Sequence, residues 1–296
     1  MHCSIILPSP IYFTESEDRP MNTILQYLPP DAAREAEPYM EEAREIRLMS
    51  TGVVAVATEK ELIRLPVEIT AAQLRNTLNY ICRGSVYSAQ SSLREGFVTL
   101  EGGHRVGVCG RLTTGAGGAA MVEPSALCFR VARQIIGAAA PLERYLGGNL
   151  LIISPPGCGK TTMLRDAART VGGFLPVCII DERSELAAVK NGVPQMDVGE
   201  FTCVLDGVKK SDGMLMALRS MAPRVIVTDE IGSDEDIDAI YRAVNSGVAV
   251  MTSVHGQNAG DVRRRTRLGG MLDRRLFSCV VTLSGVGEIA EVNSYA

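Results

Sequence analysis

The apolar run from Leu150 to Ser154 opens directly into Pro155-Pro156-Gly157-Cys158-Gly159-Lys160-Thr161-Thr162, and helical periodicity follows as far as Val171. Few chain geometries accept that order. A buried strand must turn sharply through glycines and enter a helix, so the segment belongs in an α/β layer structure. The glycines let successive backbone N–H groups converge on an anion, and the helix adds the positive end of its dipole. Lys160 is placed to reach the β and γ oxygens of a nucleotide, and Thr161 to offer its hydroxyl to Mg²⁺. The candidate nucleotide-binding residues are therefore Ser154, Pro155, Pro156, Gly157, Cys158, Gly159, Lys160, Thr161 and Thr162. Ser154 stands where the usual pattern has glycine, but the strand before it and the helix after it are where the mechanism needs them.

The downstream sequence repeats the theme. Apolar runs at Val177 to Asp181, Val225 to Asp229, Val248 to Val254 and Cys279 to Leu283 are separated by predicted helices, including Asp212 to Met221 and Asp234 to Ser246. Strands buried on both faces read as continuous apolar runs, so this half is a parallel sheet of βαβ units. The upstream half is mixed. Residues 31 to 43 read as a helix, and Glu45 to Leu48, Val53 to Thr58 and Glu61 to Pro66 as short strands. Thr70 is placed to cap a helix running to Arg83. Gly96 to Leu100 and His104 to Leu112 form a hairpin around Glu101-Gly102-Gly103. Thr113 to Ala120 reads as a flexible loop, and Leu127 to Arg133 as a strand. The expected division is a loose tail over 1–20, an α+β domain over 21–137 and the phosphate-loop domain over 138–296. Met21 opens the more regular pattern and is an alternative start.

Acidic residues end two of the apolar runs. Asp229 is placed to hold Mg²⁺, and Glu230 to orient and deprotonate an attacking water, which favours hydrolysis over transfer to another substrate. The second run ends in Asp181-Glu182-Arg183-Ser184-Glu185. Ligands of open α/β sheets bind beyond the carboxyl ends of the strands, so Glu182 and its neighbours face the same crevice as Lys160. The run ending at Val254 leads into His255, placed to sense the γ-phosphate. Arg105 and Arg111 in the hairpin, and Arg130 and Arg133 in the strand after it, alternate so that each pair projects toward a neighbour. A guanidinium that meets charge developing on phosphate is worth on the order of 10³ to 10⁵ in rate.

Composition excludes several alternatives. Lys and Arg total 30 against 34 for Asp and Glu, a net charge of −4, so no global basic field implies a nucleic-acid partner. Arg263-Arg264-Arg265, Arg267, Arg274 and Arg275 make a local cluster, but no aromatic residues interleave with them as single-strand binding requires, and the cluster reads as a solvated helix face. Lysine occurs only at 60, 160, 190, 209 and 210, which makes Lys160 informative. The eight cysteines show no C-x-x-C pair and histidines number three, so the thiols read as reduced and no metal-ligand spacing stands out. No apolar run approaches the roughly 18 residues of a transmembrane helix. Residues 1–20 carry three prolines and an acidic patch, unlike a signal peptide.

From about Met21 onward the chain resembles the stage III sporulation protein AA family of endospore-forming bacteria, itself similar to the ATPases of type II and type IV secretion systems. The resemblance rests on Glu45-Ile46-Arg47-Leu48, Leu93-Arg94-Glu95-Gly96-Phe97-Val98, Gly102-Gly103-His104-Arg105-Val106-Gly107 and Ser154 to Thr162. It continues through Asp181 to Glu185, Gly192-Val193-Pro194-Gln195, Arg219-Ser220-Met221-Ala222-Pro223 and Val227 to Ile231. That family also carries serine in place of the leading glycine.

The resemblance implies a RecA-like P-loop ATPase domain with a smaller α+β N-terminal domain, ATP and Mg²⁺ as cofactors, and a homo-oligomeric ring, a hexamer, in which arginines of one subunit complete the next subunit's site. Glu182 and His255 match functional boxes of secretion ATPases, whereas Asp229-Glu230 stands where those enzymes usually have Gly-Glu. It further implies a cytoplasmic protein of the mother cell, peripheral to the forespore-facing membrane. There it would energise a secretion-like channel built from membrane proteins of the same operon. Three readings compete. One is a RecA-like ATPase acting on single-stranded nucleic acid, whose binding module is expected beyond the ATPase domain and not here. The others are a nucleotide-binding ring scaffold without hydrolysis and a small-molecule kinase, for which no arginine-rich lid is evident.

Overall fold

A computed structural model describes residues 20–82, 96–115 and 118–295. The expected tail lies outside the described residues except for Pro20, as does Arg83. The chain divides into two compact units. One comprises Met1–Arg94 with Val108–Val131, and the other Glu95–Gly107 with Ala132–Ala296. The division is discontinuous in sequence and differs from a single cut after residue 137. The reason is local: His104 Nδ1 accepts the Ala132 N–H at 3.0 Å, and the Gly102 N–H donates to Gln195 Oε1 at 3.0 Å. These bonds fasten the residues before Val108 to the second unit.

The first unit holds helix α1 (Pro30–Ala36), strands β1 (Glu45–Met49), β2 (Val53–Ala57) and β3 (Leu62–Glu68), helix α2 (Ala71–Ile81), and most of β5 (Arg105–Gly115) and β6 (Gly118–Arg130). Its sheet has the order β3-β2-β1-β6-β5. The helix expected over 31–43 is shorter. Pro38 offers no N–H and crowds the preceding turn, so α1 gives way to a 3₁₀ turn at Glu37–Tyr39. Helix α2 begins as expected with a capping box: Thr70 Oγ1 accepts from Gln73 N at 3.1 Å, and Gln73 Oε1 accepts from Thr70 N at 2.8 Å. The loop expected over Thr113 to Ala120 is corrected. Strand β5 runs to Gly115 and β6 resumes at Gly118, because ladder bonds between backbones tolerate small side chains.

In the second unit, the short strand β4 (Phe97–Thr99) pairs antiparallel with Arg105–Gly107. The rest is a seven-stranded sheet built from β7 (Leu150–Ser154), β8 (Val177–Asp181), β9 (Thr202–Asp206), β10 (Val225–Glu230), β11 (Ala249–His255), β12 (Cys279–Gly285) and β13 (Glu288–Ser294). Its order is β13-β12-β7-β11-β10-β8-β9, parallel throughout except for the β12–β13 hairpin. Successive side chains point to opposite faces. Leu150, Ile152, Ile179 and Val227 therefore pack into one core cluster with Leu164 and Ala167 of helix α3 (Lys160–Gly172). Leu151, Ile153, Ile180 and Ile226 pack into another, with Met214 of helix α4 (Lys210–Ser220) and Ile237 and Ile240 of helix α5 (Asp234–Asn245). Two short helices, α6 (Ala259–Arg263) and α7 (Thr266–Asp273), precede β12. All five expected apolar runs are strands.

Candidate nucleotide-binding site

The carboxyl ends of β7, β11, β10 and β8 deliver the expected residues to one cleft of about 290 Å³. Its walls include Gly157, Lys160 and Thr161 of the glycine loop, Arg183 and Glu185 after β8, Asp229 and Glu230 of β10, and Ser253 and His255 of β11. The glycine loop has the backbone that the sequence demands. Gly157 and Gly159 sit at φ 77° and 87°, and a Cβ on Gly159 would stand 3.3 Å from the Gly287 nitrogen. Gly287 N–H in turn bonds the Cys158 carbonyl at 3.1 Å, so the β12–β13 turn closes over the loop. Ser154 is fully buried at the end of β7, which accounts for a small residue there; its hydroxyl donates to the Pro155 carbonyl at 2.7 Å. Pro156 lines the cleft and Cys158 is half-buried, while Thr162 lies within the first turn of α3.

Polar side chains form a chain across the cleft. Lys160 Nζ is 3.2 Å from His255 Nδ1, and His255 Nε2 is 2.9 Å from Glu230 Oε2. Burial works to lower the Lys160 ammonium below the usual lysine range, against the nearby Glu230 carboxylate, which acts to raise it. Beside this chain lies Asp229, largely buried. Burial pushes its carboxyl up to about 6, reinforced by Asp181 and Glu185 and opposed by Lys210. Lys210 is itself buried. Its Nζ bonds Glu182 Oε2 at 2.6 Å and stands 3.0 Å from Asp229 Oδ1, an oxygen that accepts no aligned hydrogen bond. Burial works to lower the Lys210 ammonium, but the two carboxylates outweigh it and the net shift is upward.

The loop after β8 is held from both sides. Buried Asp181 accepts backbone N–H bonds from Glu185, Leu186 and Ala187 at 2.7, 2.9 and 2.8 Å. From α3, Arg165 donates to the carbonyls of Leu186 and Glu185. Arg105 adds a third hold: its guanidinium pairs with Glu185 Oε1 at 3.2 Å, bonds the Arg183 carbonyl and stacks 4.4 Å from the Phe97 ring centroid. Within the single chain Arg105 is thus engaged in its own unit. Arg111 belongs to the other unit, exposed, with Glu123 at 3.9 Å. The arginine-rich run is largely neutralised: Arg263 pairs with Asp273, Arg264 and Arg265 with Asp261, and Arg267 with Asp234 and Asp238.

Sequence reasoning missed Lys210, Arg165 and Ser253, and it placed Asp181 in the acidic cluster without its hold on the loop. Lys210 had a signal, being one of only five lysines and adjacent to another at the start of a predicted helix. Asp181 ends its strand as Asp229 does, but its hydrogen bonds to the next turn are a tertiary detail. Among the described residues the cysteines are all free, no cluster of three or more His, Cys, Asp or Glu residues could hold a metal ion, and no helix is long and apolar enough to cross a membrane.

Comparison with known proteins shows the family and the fold. Residues 22–295 match the family described as sporulation stage III, protein AA. The chain is 36% identical over 290 residues to stage III sporulation protein AA of Bacillus subtilis (strain 168), covering 92% of this chain and 94% of that protein. Among solved structures, the Legionella pneumophila ATPase DotB superposes with a TM-score of 0.58 at 16% identity, over 93% of this chain and 78% of DotB. The pilus retraction motor PilT with bound ADP superposes with a TM-score of 0.61 at 17% identity, over 83% and 76%. The chain belongs to the stage III sporulation protein AA family and has the fold of the secretion ATPases.

Proposed function

We propose that this member of the stage III sporulation protein AA family hydrolyses ATP in the cleft at the carboxyl ends of β7, β10, β11 and β8. The observation that carries the reading is the chain Lys160–His255–Glu230 beside buried Asp229. It joins the phosphate-binding lysine to a carboxylate that can act as base. Backbone N–H groups of the glycine loop and Lys160 bind the β and γ oxygens. Glu230 orients a water toward the γ-phosphorus and takes its proton. His255 fixes the Glu230 carboxylate and, through Lys160, responds to the charge of the γ-phosphate. Arg183 and Glu185 complete the wall facing the phosphates, with Arg105 and Asp181 holding their loop in place.

A divalent cation fits the site. Asp229 offers a buried carboxylate oxygen that lacks an aligned hydrogen bond, and the Thr161 hydroxyl lines the same cleft; hard cations such as Mg²⁺ favour oxygen donors of this kind. When bound, Mg²⁺ would neutralise charge on the β and γ oxygens.

Family membership supports a role in sporulation, in which hydrolysis energises a secretion-like channel between mother cell and forespore. The protein would act as a ring, a hexamer, on the cytoplasmic face of the forespore-facing membrane, anchored by membrane proteins of the same operon. Arg111, exposed in the first unit, is available to complete a neighbour's site.

Steady-state ATP turnover measured against protein concentration tests the reading, with Glu230→Gln as control. Specific activity that rises with concentration is expected, and Glu230→Gln should bind ATP while losing about 10² to 10⁴ in rate. ATP bound without turnover at every concentration would instead make the protein a nucleotide-binding scaffold.

A further inference from the structure

Lys210 is a charged residue of the cleft that the hydrolytic chemistry above leaves unused. Its side chain is only 7% exposed and lies between two carboxylates, Glu182 in the turn after β8 and Asp229 on β10. Helix stability does not explain a lysine there. It occupies the first position of α4, directly after Lys209, with no side-chain cap. The helix dipole makes that end the least favourable place on a helix for a cation. A buried ammonium is retained only when it is paired, and each carboxylate would be left facing the other without it.

The two bonds are unequal. Glu182 Oε2 is met at 2.6 Å in hydrogen-bonding geometry, whereas Asp229 Oδ1 is 3.0 Å away and remains without an aligned donor. Of the two carboxylates, Asp229 is the one held at the longer distance and in the poorer hydrogen-bonding geometry.

We propose that Lys210 is a positioning residue that neutralises Glu182 and Asp229 when no nucleotide is bound, yields Asp229 to the divalent cation that enters with ATP, and stays bonded to Glu182. Metal alone is thereby excluded from Asp229, and only the metal–nucleotide complex, with its additional phosphate contacts, displaces the ammonium. The arrangement makes nucleotide-free protein blind to free Mg²⁺. It rests on the assignment of Asp229 as a metal ligand in the hydrolytic reading.

The test is Mn²⁺ binding to the nucleotide-free full-length protein, read from the electron paramagnetic resonance signal of free Mn²⁺. Lys210→Met and Lys210→Gln should bind one Mn²⁺ at least about tenfold more tightly than wild type, since removal of a paired cation leaves its carboxylates exposed to the metal. Lys210→Arg, which keeps the charge, should stay near wild type, and adding Asp229→Asn to Lys210→Gln should abolish the gain. Two neutral variants guard against one failing to fold. Equal Mn²⁺ affinity in wild type and both neutral variants overturns the proposal, as does a gain that survives Asp229→Asn. Wild-type ATP turnover, assayed separately, keeps the outcomes apart: turnover without the Mn²⁺ difference sinks only the role of Lys210, whereas no turnover sinks the hydrolytic reading.

Discussion

Asp181→Asn removes a charge from a fully buried position without changing side-chain shape, and its consequence can be worked from three bonds. Asp181 Oδ2 accepts from Leu186 and Ala187, and Oδ1 from Glu185. An asparagine can turn its oxygen toward the first pair only by turning its NH₂ toward the Glu185 N–H, so a donor then faces a donor. One charge-assisted bond, worth about 1.5 to 3 kcal/mol, is lost, and the two remaining bonds fall to neutral strength. The loop from Glu182 to Ala187 should therefore open about 2 to 3 kcal/mol more easily.

Hydrogen exchange reads this directly. At roughly tenfold per 1.4 kcal/mol, the amides of Glu185, Leu186 and Ala187 should exchange about 30- to 150-fold faster in the variant, while amides of the β7 core stay protected. ATP turnover should fall as well, because the same loop carries Arg183 and Glu185 into the cleft and Glu182 to Lys210 at its wall. Unchanged exchange at 185–187 would refute the claim that Asp181 holds this loop. Faster exchange with undiminished turnover would refute the claim that the loop must be held for catalysis.

Three further outcomes follow from the cleft. Burial raises the folded-state carboxyl of Asp229 to about 6 from 3.8, so its stabilising contribution is fully present below pH 4 and is lost as pH rises toward 6. In metal-free protein, Asp229→Asn should therefore gain stability relative to wild type as pH rises from 4 to 8 in urea titrations; a variant that loses stability relative to wild type over that range would reverse the sign of the argument. Arg105→Ala should lower turnover equally in dilute and concentrated protein, since its bonds run to Glu185 and Arg183 of its own unit, and a loss confined to concentrated protein would place its action in a neighbouring subunit. Gly159→Ala imposes a Cβ on a backbone at φ 87° and crowds Gly287, a strain of about 1 to 3 kcal/mol, and calorimetry should show ATP affinity reduced by about tenfold or more, against which an unchanged affinity would count.

What the sequence made legible was what a local pattern encodes. Strands buried on both faces, such as Leu150 to Ser154 and Val177 to Asp181, announce themselves by continuous apolar runs. The edge strands β9 and β13 do not, because about half of their residues meet solvent and polar residues such as Glu291 and Asn293 interrupt β13. Residues at the carboxyl ends of legible strands were legible too, which covers Asp229, Glu230, Glu182 and His255. Lys210 and Arg165 reach the site from helices, and nothing local marks a lysine or arginine on a helix as turned inward. The same limit applies to Glu95–Gly107, which joins the second unit through His104 and Gly102, contacts between residues far apart in the chain.

Strand order supplies the step from pattern to chemistry. Along the chain the four strands whose carboxyl ends form the cleft run β7, β8, β10, β11, but across the sheet they lie β7, β11, β10, β8. The fourth of them to be reached is inserted next to the first. Its register pairs His255 with Ser154 at the head of the glycine loop, and Ser253 with Glu230 on the other side. A histidine at the end of β11 must then stand between the loop that holds Lys160 and the strand that carries Glu230, where its two ring nitrogens face one each. Had β11 been added at the outer edge beyond β9, the same His-Gly sequence would lie several strands, at about 4.8 Å each, from the lysine. The bridging of Lys160, the proposed phosphate contact, and Glu230, the proposed base, is thus a property of topology as much as of residue identity. It also gives a reason why substitutions on β11 that shift its register by one residue should uncouple binding from hydrolysis while leaving the glycine loop intact: the slip would turn His255 to the opposite face of the sheet.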